Sequence, residues 1–69
     1  MHPLRLKELR EDQFLTQSDL SERSGVQAIT ISRLERGIEK ARFSTIRKLA
    51  AALGVESREL APRDTEKAA

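Results

Sequence analysis

Three glycines cut this chain into pieces too short to fold by themselves. Gly25, Gly37 and Gly54 each follow a stretch of apolar residues at helical spacing. A glycine in that place ends a helix by adopting a left-handed conformation. The piece before Gly25 leaves room for a helix over 17–24, about two turns, which is unstable in water without tertiary support. Strands do not compete with this reading. No alternation of apolar and polar residues runs along the chain, and no Asn-Gly or similar dipeptide marks a hairpin. The sequence therefore predicts an all-α fold in which short helices stabilise one another by packing.

At 69 residues the chain has room for one domain, and such a chain buries only roughly 60% of the surface that it exposes when unfolded. The first helix is expected over about 3–13, with Pro3 at its first position, where a missing N–H costs nothing. Leu6, Leu9 and Arg10 share its inner face, and Phe14 and Leu15 are expected to close it onto the core. Thr16 and Asp19 are spaced as a shortened capping box for the second helix, whose main inward residue is Leu20. The third helix is expected over about 27–36. In the fourth, about 44–53 with Ser44 as N-cap, Ile46, Leu49, Ala50 and Leu53 recur at i, i+3, i+4 and i+7. A short fifth helix over about 56–61 offers Leu60. The folded unit should span residues 1–61, and the polar stretch PRDTEKAA, residues 62–69, should be disordered.

The phase of the third helix separates its two faces. At about 100° per residue, with Ile31 as zero, Leu34 falls near −60°, Glu35 near +40° and Ile38 near −20°, which defines the inward face. Ile29, Arg33 and Arg36 lie on the opposite side. Charge is distributed in the same sense. The chain carries a formal net charge of +2, too small to suggest a polyanionic partner. Residues 27–48, however, hold six basic side chains against two acidic ones, a net +4, between flanking segments of −1 each. A basic centre of this kind is the electrostatic footprint of a nucleic-acid binder.

The stretch TQSDLSERSGVQAITISRLERG, residues 16–37, resembles the lambda repressor/Cro helix-turn-helix family of phage and bacterial regulators. The resemblance extends over about residues 4–60. It is carried by Thr16-Gln17, Leu20, Gly25-Val26, Ile31-Ser32, Leu34-Glu35-Arg36-Gly37 and the segment LAAALGV, residues 49–55. It implies a compact five-helix bundle whose second helix crosses the DNA backbone while the third enters the major groove. The outward set on the third helix then becomes the base-facing set: Gln27, Ala28, Ile29, Ser32 and Arg33. Arginine to guanine is the commonest specific contact with DNA, and Ile29 suits a thymine methyl group. Gln17, Thr30, Arg36, Lys40 and Arg42 are the expected phosphate contacts, sequence-independent and sensitive to salt. Arg47 and Lys48 should face solvent.

The resemblance also implies that Arg10 and Glu35 form a buried ion pair. Val55, Arg58, Leu60 and Ala61 are the candidate dimer contacts, since two copies on a pseudo-palindrome supply the specificity that one small domain lacks. The chain departs from the family pattern at Ala28, where a polar base reader is common. It departs again at Ser21 and Ser24, which put hydroxyls at the junction of the two motif helices.

Other chemistries find little support. There is no cysteine, and a lone His2 cannot build a histidine metal cluster. No metal, cofactor or small-molecule ligand is expected, and no enzymatic role. Two Phe without Tyr or Trp disfavour single-strand stacking platforms. No apolar run is long enough to span a membrane, and the charged N-terminus is not that of a signal peptide. A cytoplasmic location, in a bacterium or encoded by a phage, follows as an expectation. The alternative to a DNA-binding regulator is a protein-interaction module, such as an antitoxin or bridging factor, that uses the same fold and buries Ile29 against its partner.

Overall fold

A computed structural model describes residues 4–61 of the chain. Those residues form five helices and no strand: α1 Leu6–Asp12, α2 Gln17–Ser24, α3 Ala28–Glu35, α4 Phe43–Leu53 and α5 Ser57–Leu60. Each ends within a residue or two of its expected limit, apart from the start of α1. Its proposed first residue, Pro3, lies outside the described residues, as does the stretch 62–69.

None of these helices is long enough to persist in isolation, and the core shows how they share the burden. Five side chains are fully buried, and each helix contributes one: Leu6, Leu20, Ile31, Leu49 and Leu60. Leu9, Leu15, Val26, Leu34, Ile46, Ala50 and Leu53 complete the cluster. Burying an aliphatic side chain of this size contributes about 1.5–3 kcal/mol. α2 packs on both α3 and α4, α4 carries α5, and α1 meets α3. The apolar stripe expected on α4 is buried in full. At the far end of the fold, the Arg5 N–H donates to the Leu60 carbonyl at 2.9 Å. This bond ties the last helix to the start of the first.

Helix ends follow the chemistry expected of them. The Thr16 hydroxyl accepts from the Asp19 N–H at 2.9 Å, and the Thr16 N–H donates to the Asp19 carboxylate at 2.9 Å. This is the predicted capping box. The Thr16 donor holds the Asp19 carboxyl below its ordinary range. Its contribution is therefore present above the usual carboxylate range and lost as acid protonates the folded form. Ser24, a departure from the family pattern, has its hydroxyl occupied: it accepts from the Val26 N–H at 3.1 Å.

Two apolar residues depart from the reading of the sequence. Phe14 does not close onto the core; it is 94% exposed, with φ +58°. The reason is the way α1 ends. The Phe14 N–H donates to the Glu11 carbonyl at 2.9 Å and the Leu15 N–H to the Arg10 carbonyl at 3.1 Å. This paired closure requires a left-handed residue between the helix and Leu15, the place usually given to glycine. Leu15 turns inward and Phe14 turns out. Ile38, placed on the inner face by helical phase, is 62% exposed, because α3 stops at Glu35 and the phase does not continue.

A left-handed conformation costs an L-residue roughly 1–2 kcal/mol, and the exposed ring recovers little of it. Phe14→Gly is expected to stabilise the protein by about 1 kcal/mol, a rise of roughly 4–8 °C in melting temperature for a domain of this size. Thermal unfolding followed by circular dichroism checks it. An unchanged or lower midpoint would show that the ring makes a stabilising contact.

Candidate nucleic-acid interface

The orientation of α3 is fixed from its inner side. Ile31 and Leu34 are buried, and Glu35, its last residue, places a carboxylate with 4% side-chain exposure against Arg10. A carboxylate at a helix C-terminus faces the negative end of the dipole, and burial adds a desolvation cost, so this group requires a close cation. Arg10 supplies one in fork geometry. Its Nε donates to Glu35 Oε2 at 2.7 Å and its Nη2 to Oε1 at 3.0 Å. A third donor, Arg10 Nη1, reaches the Leu15 carbonyl at 2.7 Å. The hydrogen bond to Glu35 is the main cause that raises the Arg10 pKa above its ordinary value. The ion pair implied by the family resemblance is present.

A further member of this network is not apparent from spacing along the chain. Gln17 Nε2 donates to Glu35 Oε1 at 3.0 Å. One carboxylate thus joins α1, the first residue of α2 and the last residue of α3. The side-chain amide of Gln17 is occupied inside the protein. With Thr16 and Asp19 satisfying each other, the outward donors at the start of α2 are the N–H groups of Gln17 and Ser18, which have no partner within a first helical turn.

The outer side of α3 is open. Gln27, at the N-cap, and Ala28 are exposed, Ile29 is 56% exposed, and Arg33 is exposed one turn later. Thr30 and Ser32 flank this face and are half-buried. Gly37 then turns the chain. With φ +74°, it lets its own N–H donate to the Leu34 carbonyl at 3.2 Å and the Ile38 N–H donate to the Arg33 carbonyl at 3.1 Å. That closure brings the following loop back to Arg33, whose Nη1 lies 3.9 Å from Glu39 Oε1. Arg36, Lys40 and Arg42 stand exposed, and none is paired with a carboxylate among the described residues. Arg42 also occupies the N-cap position of α4, so the helix begins at Phe43, and Ser44, expected as the N-cap, lies inside its first turn. Arg47 and Lys48 are exposed, as expected.

The fifth helix corrects the set of dimer candidates. Leu60 has no exposed surface and belongs to the core, so its side chain is not available to a second copy. Its place at the end of a four-residue helix, pinned through its carbonyl to Arg5, turns it inward. Val55 and Ala61 are half-buried against the same core. Arg58 is exposed and pairs with Glu56 at 3.0 Å.

Two short helices meet through a left-handed glycine, Gly25 with φ +80°. The second is anchored inside by a buried ion pair and bare outside. This arrangement is a helix-turn-helix within a five-helix bundle. The helix-turn-helix family profile matches residues 6–60, and the chain belongs to that family. Among solved structures, it is similar to the restriction-modification controller protein C.AhdI from Aeromonas hydrophila. The two share 40% identity over 80% of this chain and 83% of that one, with a TM-score of 0.77. It is also similar to the hypothetical transcription factor NHTF from Neisseria, at 29% identity over 93% of this chain and 74% of that one, with a TM-score of 0.76. No curated protein matches the chain significantly.

Removing one partner of a buried ion pair leaves the other charge uncompensated, at a cost on the order of 3–5 kcal/mol. Glu35→Ala is therefore expected to destabilise the protein by that amount, a large part of a small domain's total. Urea unfolding measures it. A loss below about 1 kcal/mol would show that the pair does not hold α3.

Proposed function

We propose that the protein is a sequence-specific double-stranded DNA-binding transcriptional regulator, acting as a repressor. It places α3 in the major groove and binds as a homodimer to a pseudo-palindromic operator. One observation carries the reading: the inner face of α3 is locked by Arg10, Glu35 and Gln17, while its outer face presents Gln27, Ala28, Ile29 and Arg33 without covering structure. A helix held rigidly on one side and bare on the other suits insertion in a groove about 12 Å wide.

In this reading Arg33 donates to guanine O6 and N7, and Ile29 packs on a thymine methyl group. Gln27, Ala28 and Ser32 line the remaining base-facing surface. Arg36, Lys40 and Arg42 follow the phosphate backbone, with Thr30 at the edge. Gln17 contributes through its backbone N–H at the α2 N-terminus, since a helix start favours an anion and its side chain is engaged by Glu35. Val55, Arg58 and Ala61 remain the candidate dimer contacts. The two similar proteins, a restriction-modification controller and a hypothetical transcription factor, agree in class with this role.

The reading assigns no catalysis, cofactor or small-molecule ligand. Among the described residues no group of three or more His, Cys, Asp or Glu is placed to hold a metal. No described helix is long and apolar enough to cross a membrane, and the proposed location is cytoplasmic. The exposed Ile29 also suits a protein partner, as in an antitoxin or bridging factor. The unpaired basic residues of the loop favour DNA.

Selection from a random duplex pool at about 150 mM salt, where charges are screened beyond roughly 8 Å, tests the class. A palindromic consensus supports a dimeric DNA reader, and no enrichment contradicts it. On the selected site, Arg33→Ala should cost roughly 1–3 kcal/mol and relax preference at one base position. An equal loss on every sequence would exclude base readout by Arg33. Lys40→Ala should weaken binding without changing preference and lower the salt slope by about one. An unchanged slope would exclude a phosphate contact there.

A further inference from the structure

Within residues 27–48 there are two carboxylates, Glu35 and Glu39, and Glu35 is buried against Arg10. Glu39 is thus the one carboxylate of this segment that faces solvent, and it stands beside the proposed reading arginine. Arg33 Nη1 lies 3.9 Å from Glu39 Oε1, with side-chain exposures of 54% and 38%. Stability does not account for this approach, because an exposed pair at that distance contributes little. Nor does helix geometry. In a continuous helix, residues six apart would be separated by about 9 Å along the axis and by about 120° around it. The turn at Gly37 brings them together: the bonds from Gly37 to Leu34 and from Ile38 to Arg33 fold the chain back over the last turn of α3.

We infer that Glu39 is a specificity-determining residue, acting through Arg33. This rests on the reading above that Arg33 faces DNA. A guanidinium has five N–H donors in a rigid fork. One edge can remain against Glu39 while another addresses guanine O6 and N7, so the carboxylate aims the side chain at a base edge. The same carboxylate opposes the nearest phosphates. On a duplex without guanine at that position, Arg33 stays neutralised by Glu39, and the phosphate field acts on a net-neutral pair. Discrimination then comes from a repulsive element beside an attractive one. With Glu39 removed, Arg33 is free to pair with any phosphate.

The test uses the full chain and two duplexes: the selected site, and the same site changed at the base pair to which Arg33→Ala is sensitive. Glu39→Gln keeps shape and removes charge, and at a loose exposed pair it should leave the melting temperature unchanged. It is expected to raise affinity for the changed duplex about fivefold, the factor that one unit charge at contact distance carries in water. Affinity for the selected site should rise less, so the ratio between the duplexes falls. In the Arg33→Ala background, Glu39→Gln should move both affinities alike and leave the ratio as it is. A ratio unchanged by Glu39→Gln alone, where Arg33→Ala does reduce it, overturns the inference and leaves base readout by Arg33 standing. If Arg33→Ala does not alter preference at any base pair, readout by Arg33 is wrong and the role of Glu39 falls with it.

Discussion

The buried carboxylate of Glu35 is the constraint on which the rest of the structure depends. It sits where a carboxylate is least welcome, at a helix C-terminus and out of water, and it is retained by three donors from two other elements. Two of the three belong to Arg10 and the third to Gln17. Arg10 comes from the first helix, and Gln17 opens the helix that precedes the turn. An eight-residue helix such as α3 has too little intrinsic stability to hold its own direction. Its two buried side chains fix its depth in the core. The directional bonds at Glu35 fix its rotation about its own axis. Rotation is what decides which side chains face outward, so a buried ionic network controls the composition of the outer face.

The same economy appears in the core and at the helix ends. One fully buried aliphatic residue per helix makes the five elements mutually dependent, and loss of any one exposes part of the helices it packs against. Left-handed residues then set where the first four helices stop. At Gly37 the stop creates the loop that carries Lys40 and Arg42 and returns Glu39 to Arg33. At Phe14 the same closure is made by a residue that fits it poorly. The bond pattern at Phe14 leaves Leu15 inward and the Leu15 carbonyl within reach of Arg10, so the strained backbone feeds directly into the ionic network.

Much of this was legible in the sequence because it follows from local rules. The five helices, the Thr16–Asp19 box, the stop at Gly25, the stripe on α4 and the inward phase of Ile31 and Leu34 depend on residues close in the chain. The Arg10–Glu35 pair was legible through family resemblance, and a charge on an apolar face supplied the physical reason for it. The failures share a cause. Phe14 and Ile38 were placed by hydrophobicity and phase, and Leu60 was set among the dimer contacts by family resemblance and a spare apolar group; each sits at or just past a helix end, where a single left-handed residue or a tethered carbonyl redirects the chain. Gln17 to Glu35 and Arg33 to Glu39 depend on tertiary proximity that spacing does not reveal.

The small net charge changes meaning once these positions are known. The acidic residues of the central segment are either buried against Arg10 or set against Arg33, which leaves Arg36, Lys40 and Arg42 exposed and without an ion-pair partner among the described residues. We propose that this face is where DNA is read. The most direct measurement is a nuclear magnetic resonance titration with the selected duplex, following every backbone amide. Shifts are expected at Gln17 and Ser18, across residues 27–33 and along 36–42, with Lys7, Glu8 and Glu11 on the solvent side of α1 unmoved. Shifts concentrated on α1, with the outer face of α3 silent, would contradict it.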